Sequence, residues 1–443
     1  MAASSIAEAP APTAANLARL AIPAAASVVL NNSFRVVDQY VAQWIGVPAQ
    51  AAIGSTTFVL ILLYAVWASV AYGVGPLLAR AEGARDAALR GQALGAGLGA
   101  GLAVGLVSVG LMALLAPQIS AAMGLSGETG LLCTRYLRAL AWVGLPLALA
   151  PLLDQALFAV GRAGLSMVLQ LLATLLNFGL SIWWVRGAGL GVEGAAWASG
   201  ASRAVALVIG LAVLIVALRP PLRSLVDLRT AARVLRVGAP AAVNIAAYAL
   251  VYFLLLKFAI SPLGPAVNAA LGIGFSALES LSWPLFSGLS LAVASLVGRQ
   301  LGAGRPDLAK AALRLGFWPV TLLGLVAALL FRLLGEPFCA AFTDDPAVLR
   351  EATQYAHILA WSQLFVAWES LAEGVLQGAG DTRTVLRWSS PLNALRVPLC
   401  WALAEPLGMG AAGVWWGINL TTALKALGKG RAALRGEWVS AKV

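Results

Sequence analysis

Long apolar stretches separated by short polar ones dominate this chain. Windows without any charged residue cover 91–127, 163–185, 237–256, 258–278, 280–298, 315–331 and 406–424. A helix needs about 20 apolar residues to cross a hydrocarbon core of about 30 Å, and these windows have that length. The full pattern predicts about twelve helical spans, at 18–46, 51–79, 91–116, 131–157, 164–186, 193–218, 234–259, 264–298, 313–334, 351–378, 385–404 and 411–428.

The composition excludes an ordinary water-soluble protein. Of the 443 residues, 60% are hydrophobic and only 11% are charged, whereas a soluble chain is roughly 25% charged. The 46 glycines also suit close helix packing in lipid. We therefore expect an all-α integral membrane protein.

Basic residues explain the net charge of +11 through their placement. If the N-terminus is cytoplasmic, most arginines and lysines fall in the inner loops and the C-terminal tail, as the positive-inside rule requires. The basicity therefore predicts topology rather than nucleic-acid binding. We expect both termini in the cytoplasm, a bacterial inner membrane, and no cleaved signal peptide in residues 1–16.

The two halves of the chain resemble each other at one fixed offset, the separation along the chain between Arg80 and Arg299. A hydrophilic linker at 219–230 divides them, and Pro23 and Pro240 sit early in the first span of each half. The predicted organisation is a tail (1–17), a six-helix lobe (18–218), the linker, a second six-helix lobe (231–428) and a cytoplasmic tail (429–443). Two lobes of equal orientation predict a pseudo-twofold axis along the membrane normal and alternating access by rocking. The matching pairs are Arg80-x-x-Gly83-Ala84 with Arg299-x-x-Gly302-Ala303, Asp154-x-x-Leu157-x-x-x-Gly161 with Glu373-x-x-Leu376-x-x-x-Gly380, and Gly189-x-Gly191-x-x-Gly194 with Gly408-x-Gly410-x-x-Gly413.

Several motifs resemble one transporter family. They are Val36-Val37-Asp38 with Pro23, Gly83-Ala84-Arg85, Leu176-Asn177, Gly191-Val192-Glu193-Gly194-Ala195-Ala196, Leu296-Val297-Gly298-Arg299-Gln300-Leu301-Gly302-Ala303-Gly304 and Gln377-Gly378-Ala379-Gly380-Asp381-Thr382. With these strings the chain resembles the multidrug and toxic compound extrusion (MATE) family, and its DinF-like prokaryotic branch in particular. The resemblance implies a secondary antiporter with two six-helix lobes.

Asp38 is the leading candidate for ion coupling. It lies eight residues before the outer end of its predicted span, about 12 Å below that surface at ~1.5 Å per residue. An ionisable group at such depth costs roughly 2.5–3.5 kcal/mol and is functional by default. Asn177 and Ser199 are predicted at similar depth. The resemblance implies a coupling site built from a first-helix Asp, a fifth-helix Asn and neighbours on the sixth helix.

Two positions depart from the family pattern, and one proline bears on motion. Ser181 stands where a second acid often follows the fifth-helix Asn, and Tyr248 stands where some members carry a Glu. Pro23 removes a backbone hydrogen bond, so the first helix could bend with the protonation state of Asp38.

Other intramembrane charges leave several assignments open. Arg35 lies one helical turn before Asp38 and would either hold it ionised or turn toward another acid, with Glu279 favoured. Glu279 and Glu369 could bind cationic substrates or pair with an arginine. Arg396 and Arg203 could snorkel or form salt bridges. For the equivalent pair Asp154 and Glu373 we expect loop arginines as partners.

The sequence favours transport without covalent catalysis. It contains no P-loop, no cluster of metal ligands and no nucleophile–histidine–acid set, so we expect neither an enzyme nor a cofactor beyond H+ or Na+ as coupling ion. The predicted function is export of amphipathic or cationic small molecules by a monomer. The alternative is a flippase for a lipid or lipid-linked saccharide, which the arginines at 35, 203 and 396 would suit; a membrane-embedded enzyme or scaffold is a third possibility that the repeat disfavours.

Overall fold

A computed structural model describes residues 12–441 except 43, 124, 126 and 344, and within helices it leaves out the side chains at 35, 36, 39, 47, 50, 51, 57, 58, 265, 276, 277 and 281. All regular structure in the described part is helical. The α-helices are α1 Ala14–Ala42, α2 Val47–Gly83, α3 Ala87–Ala122, α4 Gly127–Trp142, α5 Gly144–Ala159, α6 Ala163–Ser181, α7 Gly191–Leu218, α8 Leu228–Leu255, α9 Pro265–Ile273, α10 Glu279–Gly302, α11 Pro306–Ala340, α12 Pro346–Gly378, α13 Thr382–Ala404 and α14 Gly410–Arg435. Each predicted span falls on one or two of these helices.

By its internal contacts the chain divides into two compact units. The first unit is Ala26–Ala242, and the second unit is Val243–Val443 together with the described residues up to Ala25. Both divisions lie inside a helix, α1 and α8, and each follows a helix proline, Pro23 or Pro240, by two residues. The first helix of each half is therefore shared between the units.

The backbone repeats at the predicted offset. Turns that follow equivalent helices use a residue with positive φ, a conformation that glycine adopts without strain. Arg85 occupies one such position at a φ of 56°, where a side chain makes the conformation less favourable. The pairs at this offset are Arg85 and Gly304, Gly161 and Gly380, Gly189 and Gly408, and Gly191 and Gly410. This agreement supports the internal repeat.

The fourth predicted span is broken, unlike its counterpart in the second half. Between α4 and α5 the helix axis bends by 59° at Val143. Gly144 and Pro146 follow the break, and proline removes the hydrogen bond to the carbonyl four residues earlier. On α7, a side chain at Gly200 would come within 2.2 Å of Val143, so the bend is packed closely. At the equivalent positions Gln363 and Phe365 continue α12 unbroken.

The linker between the halves is short and capped. Arg219 ends α7 in the left-handed conformation, and Pro220 and Pro221 prevent the helix from continuing. A 3-10 turn, Leu222–Val226, leads to Asp227, which precedes α8. Asp227 accepts hydrogen bonds from the Thr230 hydroxyl at 2.7 Å and from the Thr230 and Arg229 amides. These bonds, led by that of the Thr230 hydroxyl, lower the pKa of Asp227.

Apolar composition identifies most of the spans in the described residues. Eight helical stretches are long and apolar enough to cross a membrane, and the bent pair α4–α5 makes a ninth. The helices α12, α13 and α14 fall short because each carries charged side chains along its length. These include Glu369 and Glu373 on α12, Arg396 on α13, and Lys425 and Lys429 on α14.

Candidate functional site

A buried carboxylate held by hydroxyl groups forms the centre of the first unit. Asp38 on α1 is 7% exposed. The Ser199 hydroxyl on α7 donates to it at 3.0 Å, and the Tyr136 hydroxyl on α4 donates at 3.0 Å. No described basic side chain lies within 4.0 Å of this carboxylate. Among the described side chains, Asp38 is therefore solvated by neutral hydroxyl donors.

Asn177 of α6 joins this centre, and Ser181 follows it on the same helix. The Asn177 amide donates to Ser199 at 3.0 Å. Its own oxygen, and the hydroxyl of Ser181 one turn further on, are buried without a hydrogen-bond partner among the described residues. The structure thus brings Asp38, Asn177 and Ser199 together as predicted. It adds Tyr136, which the sequence analysis missed.

Arg203 lies one helical turn beyond Ser199 on α7. Its guanidinium donates to the Asn31 side chain at 2.9 Å and stands 3.9 Å from the centre of the Phe34 ring. Asn31, Phe34 and Asp38 share one face of α1, because helix positions three or four residues apart are neighbours. Arg203 therefore contacts the same helix face as the carboxylate. It donates to an uncharged amide oxygen and makes a cation–π contact, and it forms no salt bridge with a described residue.

Asp154 on α5 belongs to a second cluster of polar side chains in the first unit. The Ser166 hydroxyl donates to it at 2.7 Å and the Gln170 amide at 2.9 Å, both from α6. Asp154 forms no ion pair with a described residue, so the prediction of a loop-arginine partner is wrong. Because Ser166 and Gln170 lie one turn apart on α6, they can reach both oxygens of the carboxylate.

The second unit contains another carboxylate–tyrosine pair. Tyr355 on α12 is 1% exposed and donates to Glu279 at 2.7 Å. Glu279 begins α10 directly after a π-helical turn, Gly274–Leu278. A side chain at Gly274 would lie 2.2 Å from the Tyr355 ring, so glycine gives that ring its place. The described partner of Glu279 is this tyrosine. The predicted pairing with Arg35 concerns a side chain that lies outside the described residues.

Arg396 on α13 is a buried cation that hydroxyl groups surround. It is 2% exposed. Its Nε donates to Thr421 at 2.9 Å, one terminal nitrogen to Thr422 at 3.1 Å, and the other to the Tyr252 hydroxyl at 3.3 Å. It reaches neither the surface nor a described acid, so neither snorkelling nor a salt bridge describes it.

Aromatic rings adjoin this guanidinium. Tyr248 and Tyr252, one turn apart on α8, have ring centres 4.6 Å apart, and the Tyr252 ring is 5.4 Å from Phe275. The guanidinium carbon of Arg396 lies 5.7 Å from the Tyr252 ring centre. Phe275 is exposed, and the two tyrosines are half-buried. Tyr248 is thus part of an aromatic cluster beside Arg396 and makes no described contact with a carboxylate.

Four charged residues form an ion-pair network between α12 and α14. Lys429 contacts Glu369 at 2.7 Å and also pairs with Glu373, while Lys425 contacts Glu369 at 3.0 Å. Lys429 is entirely buried. The partners of Glu369 and Glu373 are therefore lysines. For Glu373 the sequence analysis expected loop arginines, and for Glu369 it left open an arginine partner or a cationic substrate. Both lysines contact the same oxygen, Oε1, of Glu369.

The remaining predicted residue, Pro23, lies within α1, which continues through it.

Signals for the missed partners existed in the repeat. Tyr136 and Tyr355 are separated by the same offset as the two halves, and so are Asn177 and Arg396. Lys425 and Lys429 repeat with the spacing of Glu369 and Glu373, which indicates two matching helix faces.

Comparison with known proteins defines the class. The MatE family model matches the chain twice, over residues 23–183 and 240–402. The two matches begin at the equivalent prolines Pro23 and Pro240, and their ends are separated by the offset that the sequence repeat predicts. The molecule is thus a membrane transporter of duplicated design. The chain belongs to the MATE family, which confirms the resemblance.

Relatives and solved structures agree with this assignment. The chain is 25% identical to a probable multidrug resistance protein NorM of Thermotoga maritima, over 95% of this chain and 92% of that protein. It is 30% identical to a probable NorM of Pseudomonas putida, but the match spans only 61% of each. A MOP superfamily transporter from Pyrococcus furiosus has a TM-score of 0.90 at 20% identity, covering 98% of both chains. An outward-facing multidrug resistance MATE transporter has a TM-score of 0.88 at 20% identity, covering 96% of both.

These likenesses establish the fold. The chain is an all-α membrane protein with twelve spans in two six-helix bundles, as predicted. The three spans that composition alone does not identify, α12 to α14, belong to this fold. Among the described residues, the acids of α12 pair with the lysines of α14, and Arg396 of α13 donates to hydroxyl groups.

Proposed function

We propose that this chain is an ion-coupled antiporter that exports amphipathic or cationic small molecules from the cytoplasm of a bacterium. In this proposal it lies in the inner membrane with both termini cytoplasmic, and it works as a monomer. One observation carries the proposal: Asp38 is a buried carboxylate whose described partners, Ser199 and Tyr136, are all neutral. Such a group can exchange a cation, because no described basic side chain forms an ion pair with it.

The chemistry of the surrounding oxygens supports either H+ or Na+ as the coupling ion. A proton on Asp38 would neutralise the carboxylate and change its hydrogen bonds with Ser199 and Tyr136. For Na+, oxygen ligands are required, and the unpaired oxygens of Asn177 and Ser181 add to the carboxylate. In both cases the site loses its negative charge when the ion binds.

Ion binding would be linked to transport through α1. Asp38 lies in the part of α1 that belongs to the first unit, whereas Pro23 lies in the part that belongs to the second. Proline weakens the helix locally, so a change of the hydrogen bonds at Asp38 could bend α1 near Pro23. The duplicated architecture supports alternating access by movement of two bundles.

The proposal is tested with Asp38→Asn in proteoliposomes. We expect wild type to expel a cationic dye under an imposed H+ or Na+ gradient, each applied separately, and the variant to lose gradient-driven efflux. Asp154→Asn is the matched control, since it removes a half-buried carboxylate of the same unit whose described partners, Ser166 and Gln170, are not shared with Asp38. Efflux by Asp38→Asn at the wild-type rate would refute the assignment of this residue.

A lipid flippase is the second candidate, because the buried Arg396 has no acidic partner among the described residues. A cationic interior favours an anionic headgroup. Translocation of fluorescent phosphatidylglycerol, together with no efflux across a broad panel of dyes, would favour this candidate over the exporter.

A further inference from the structure

Arg396 has hydrogen-bonding capacity that no described residue uses. A guanidinium carries five N–H donors, and three of them contact Thr421, Thr422 and Tyr252. All three acceptors are uncharged hydroxyl groups. No carboxylate of the described residues lies within 4.0 Å of it. A buried cation without a paired anion is strongly unfavourable, so this arrangement needs an anion at some stage.

The repeat shows that the charge is specific to the second unit. Arg396 occupies the position that Asn177 occupies in the first unit, and Tyr355 the position of Tyr136. In the first unit the tyrosine donates to the Asp38 carboxylate, and the amide of Asn177 donates to Ser199 beside it. The Asn177 amide oxygen has no partner among the described residues. In the second unit the equivalent amide is replaced by a cation. The first unit therefore suits a positive ligand, and the second a negative one.

Glu279 does not neutralise Arg396 directly. It attracts the guanidinium through space, but its carboxylate contacts the Tyr355 hydroxyl instead. Glu369, which also attracts the guanidinium through space, is already paired with two lysines. The hydroxyl groups of Thr421, Thr422 and Tyr252 thus hold the guanidinium in place, and its other N–H donors have no partner among the described residues.

The aromatic cluster beside Arg396 indicates what else the ligand contains. The rings of Tyr248, Tyr252 and Phe275 pack in sequence, and Phe275 is 41% exposed. Aromatic rings prefer offset or edge-to-face contact with a further ring. The planar guanidinium matches a carboxylate, which it can bind through two parallel hydrogen bonds.

We propose that Arg396 is a substrate-binding residue and that the second unit takes aromatic molecules bearing a carboxylate. The carboxylate binds the free N–H donors of Arg396, and the aromatic part packs on Tyr248, Tyr252 and Phe275. This rests on the proposed function and deepens it: the substrates would be zwitterionic or anionic aromatic compounds, and Asp38 would remain the separate site of the coupling cation.

Binding to purified full-length protein in detergent tests this without any transport assay. The probes share one aromatic group and differ only in charge: 3-phenylpropionate, phenylalanine and phenethylammonium, with chloride as a simple anion. Calorimetric titration should show that 3-phenylpropionate and phenylalanine bind more tightly than phenethylammonium. Arg396→Gln should weaken both by at least about tenfold, since one hydrogen bond to a charged group contributes that much.

Matched variants separate a local effect from misfolding. Arg396→Lys keeps the charge but loses the planar fork, and we expect intermediate affinity. Glu279→Gln removes a nearby negative charge and should strengthen carboxylate binding several-fold. Arg332→Gln removes an exposed arginine of α11 and should change nothing. Each variant is accepted only if its elution volume and melting temperature match a folded protein.

The outcomes are distinct. Carboxylate binding that depends on Arg396 supports the proposal. If chloride competes for the site, any small anion can occupy it; if chloride does not, the aromatic group is required, and both results support an anion site. Tighter binding of phenethylammonium than of the carboxylates would overturn the proposal. So would carboxylate affinities that change neither in Arg396→Gln nor in Glu279→Gln. Because no gradient is applied, failure here leaves the coupling role of Asp38 untouched.

Discussion

In each unit a tyrosine hydroxyl donates to a carboxylate, but the units differ in the residue that lies near this pair. Tyr136 contacts Asp38 near the neutral Asn177, whereas Tyr355 contacts Glu279 near the cationic Arg396. The carboxylates come from different helices, α1 and α10. Duplication has therefore kept the position of the tyrosine while the charge of each centre has diverged. The comparison indicates that the halves share a scaffold but differ in the charge that lies beside the tyrosine.

A second difference concerns one equivalent acid. Asp154 is solvated by Ser166 and Gln170, whereas Glu373 at the matching position pairs with the buried Lys429. Neutral hydrogen bonds leave a carboxylate able to gain or lose a proton at modest cost. A fixed lysine partner makes the loss of either charge expensive, since the other is then buried alone.

The largest effect should come from breaking the ion-pair network. Lys429→Met leaves Glu369 and Glu373 short of their shared partner, and we expect a loss of about 3–5 kcal/mol of stability. Gln170→Met removes one neutral hydrogen bond from Asp154 and should cost about 1–2 kcal/mol. Melting temperatures in one detergent would rank the two. Equal shifts would show that the two acids are solvated alike, against the comparison drawn above.

An intermediate effect is expected at the equivalent tyrosines. Tyr136→Phe removes a donor from Asp38 and should slow gradient-driven efflux by roughly tenfold, the contribution of a hydrogen bond to a charged group. Tyr355→Phe should leave the ratio of efflux with and without a gradient close to wild type. The measurement is dye efflux from proteoliposomes. A loss of coupling in both variants would mean that both units bind the coupling ion.

The smallest effect concerns helix ends at equivalent positions. Asp381 caps α13 by accepting from the Thr384 amide and hydroxyl, whereas Arg162 precedes α6 without any side-chain cap. Asp381→Ala should therefore cost about 1 kcal/mol, and Arg162→Ala less than about 0.5 kcal/mol. Melting temperatures again decide, and a larger shift for Arg162→Ala would contradict the assignment of the cap.

The sequence predicted the spans and three residues of the Asp38 centre for physical reasons. Apolar runs long enough to cross lipid form helices whatever they pack against, so the helices appear where expected. Asp38, Asn177 and Ser199 could be grouped because they share a predicted depth and match a family pattern. The rotation of each helix about its axis is set by packing, which apolar patterns in a membrane barely encode. For that reason Tyr136, Tyr355 and the two lysines were not identified as partners.

Helix ends show a related limit. The last span was predicted to end at residue 428, yet α14 continues to Arg435 and buries Lys429. From the sequence alone, a lysine near the end of a span is expected to reach water. In the structure Lys429 pairs with two carboxylates instead. The break at Val143 carried a local signal, Gly144 and Pro146, because both act through the backbone alone.

The pairing of α12 with α14 has a consequence for the order in which this protein is made. Glu369 and Glu373 leave the ribosome well before Lys425 and Lys429, since α14 follows α12 and α13 along the chain. During that interval the two lysines with which these acids pair have not yet been synthesised. The ion-pair network of the second unit can therefore form only after α14 has been made.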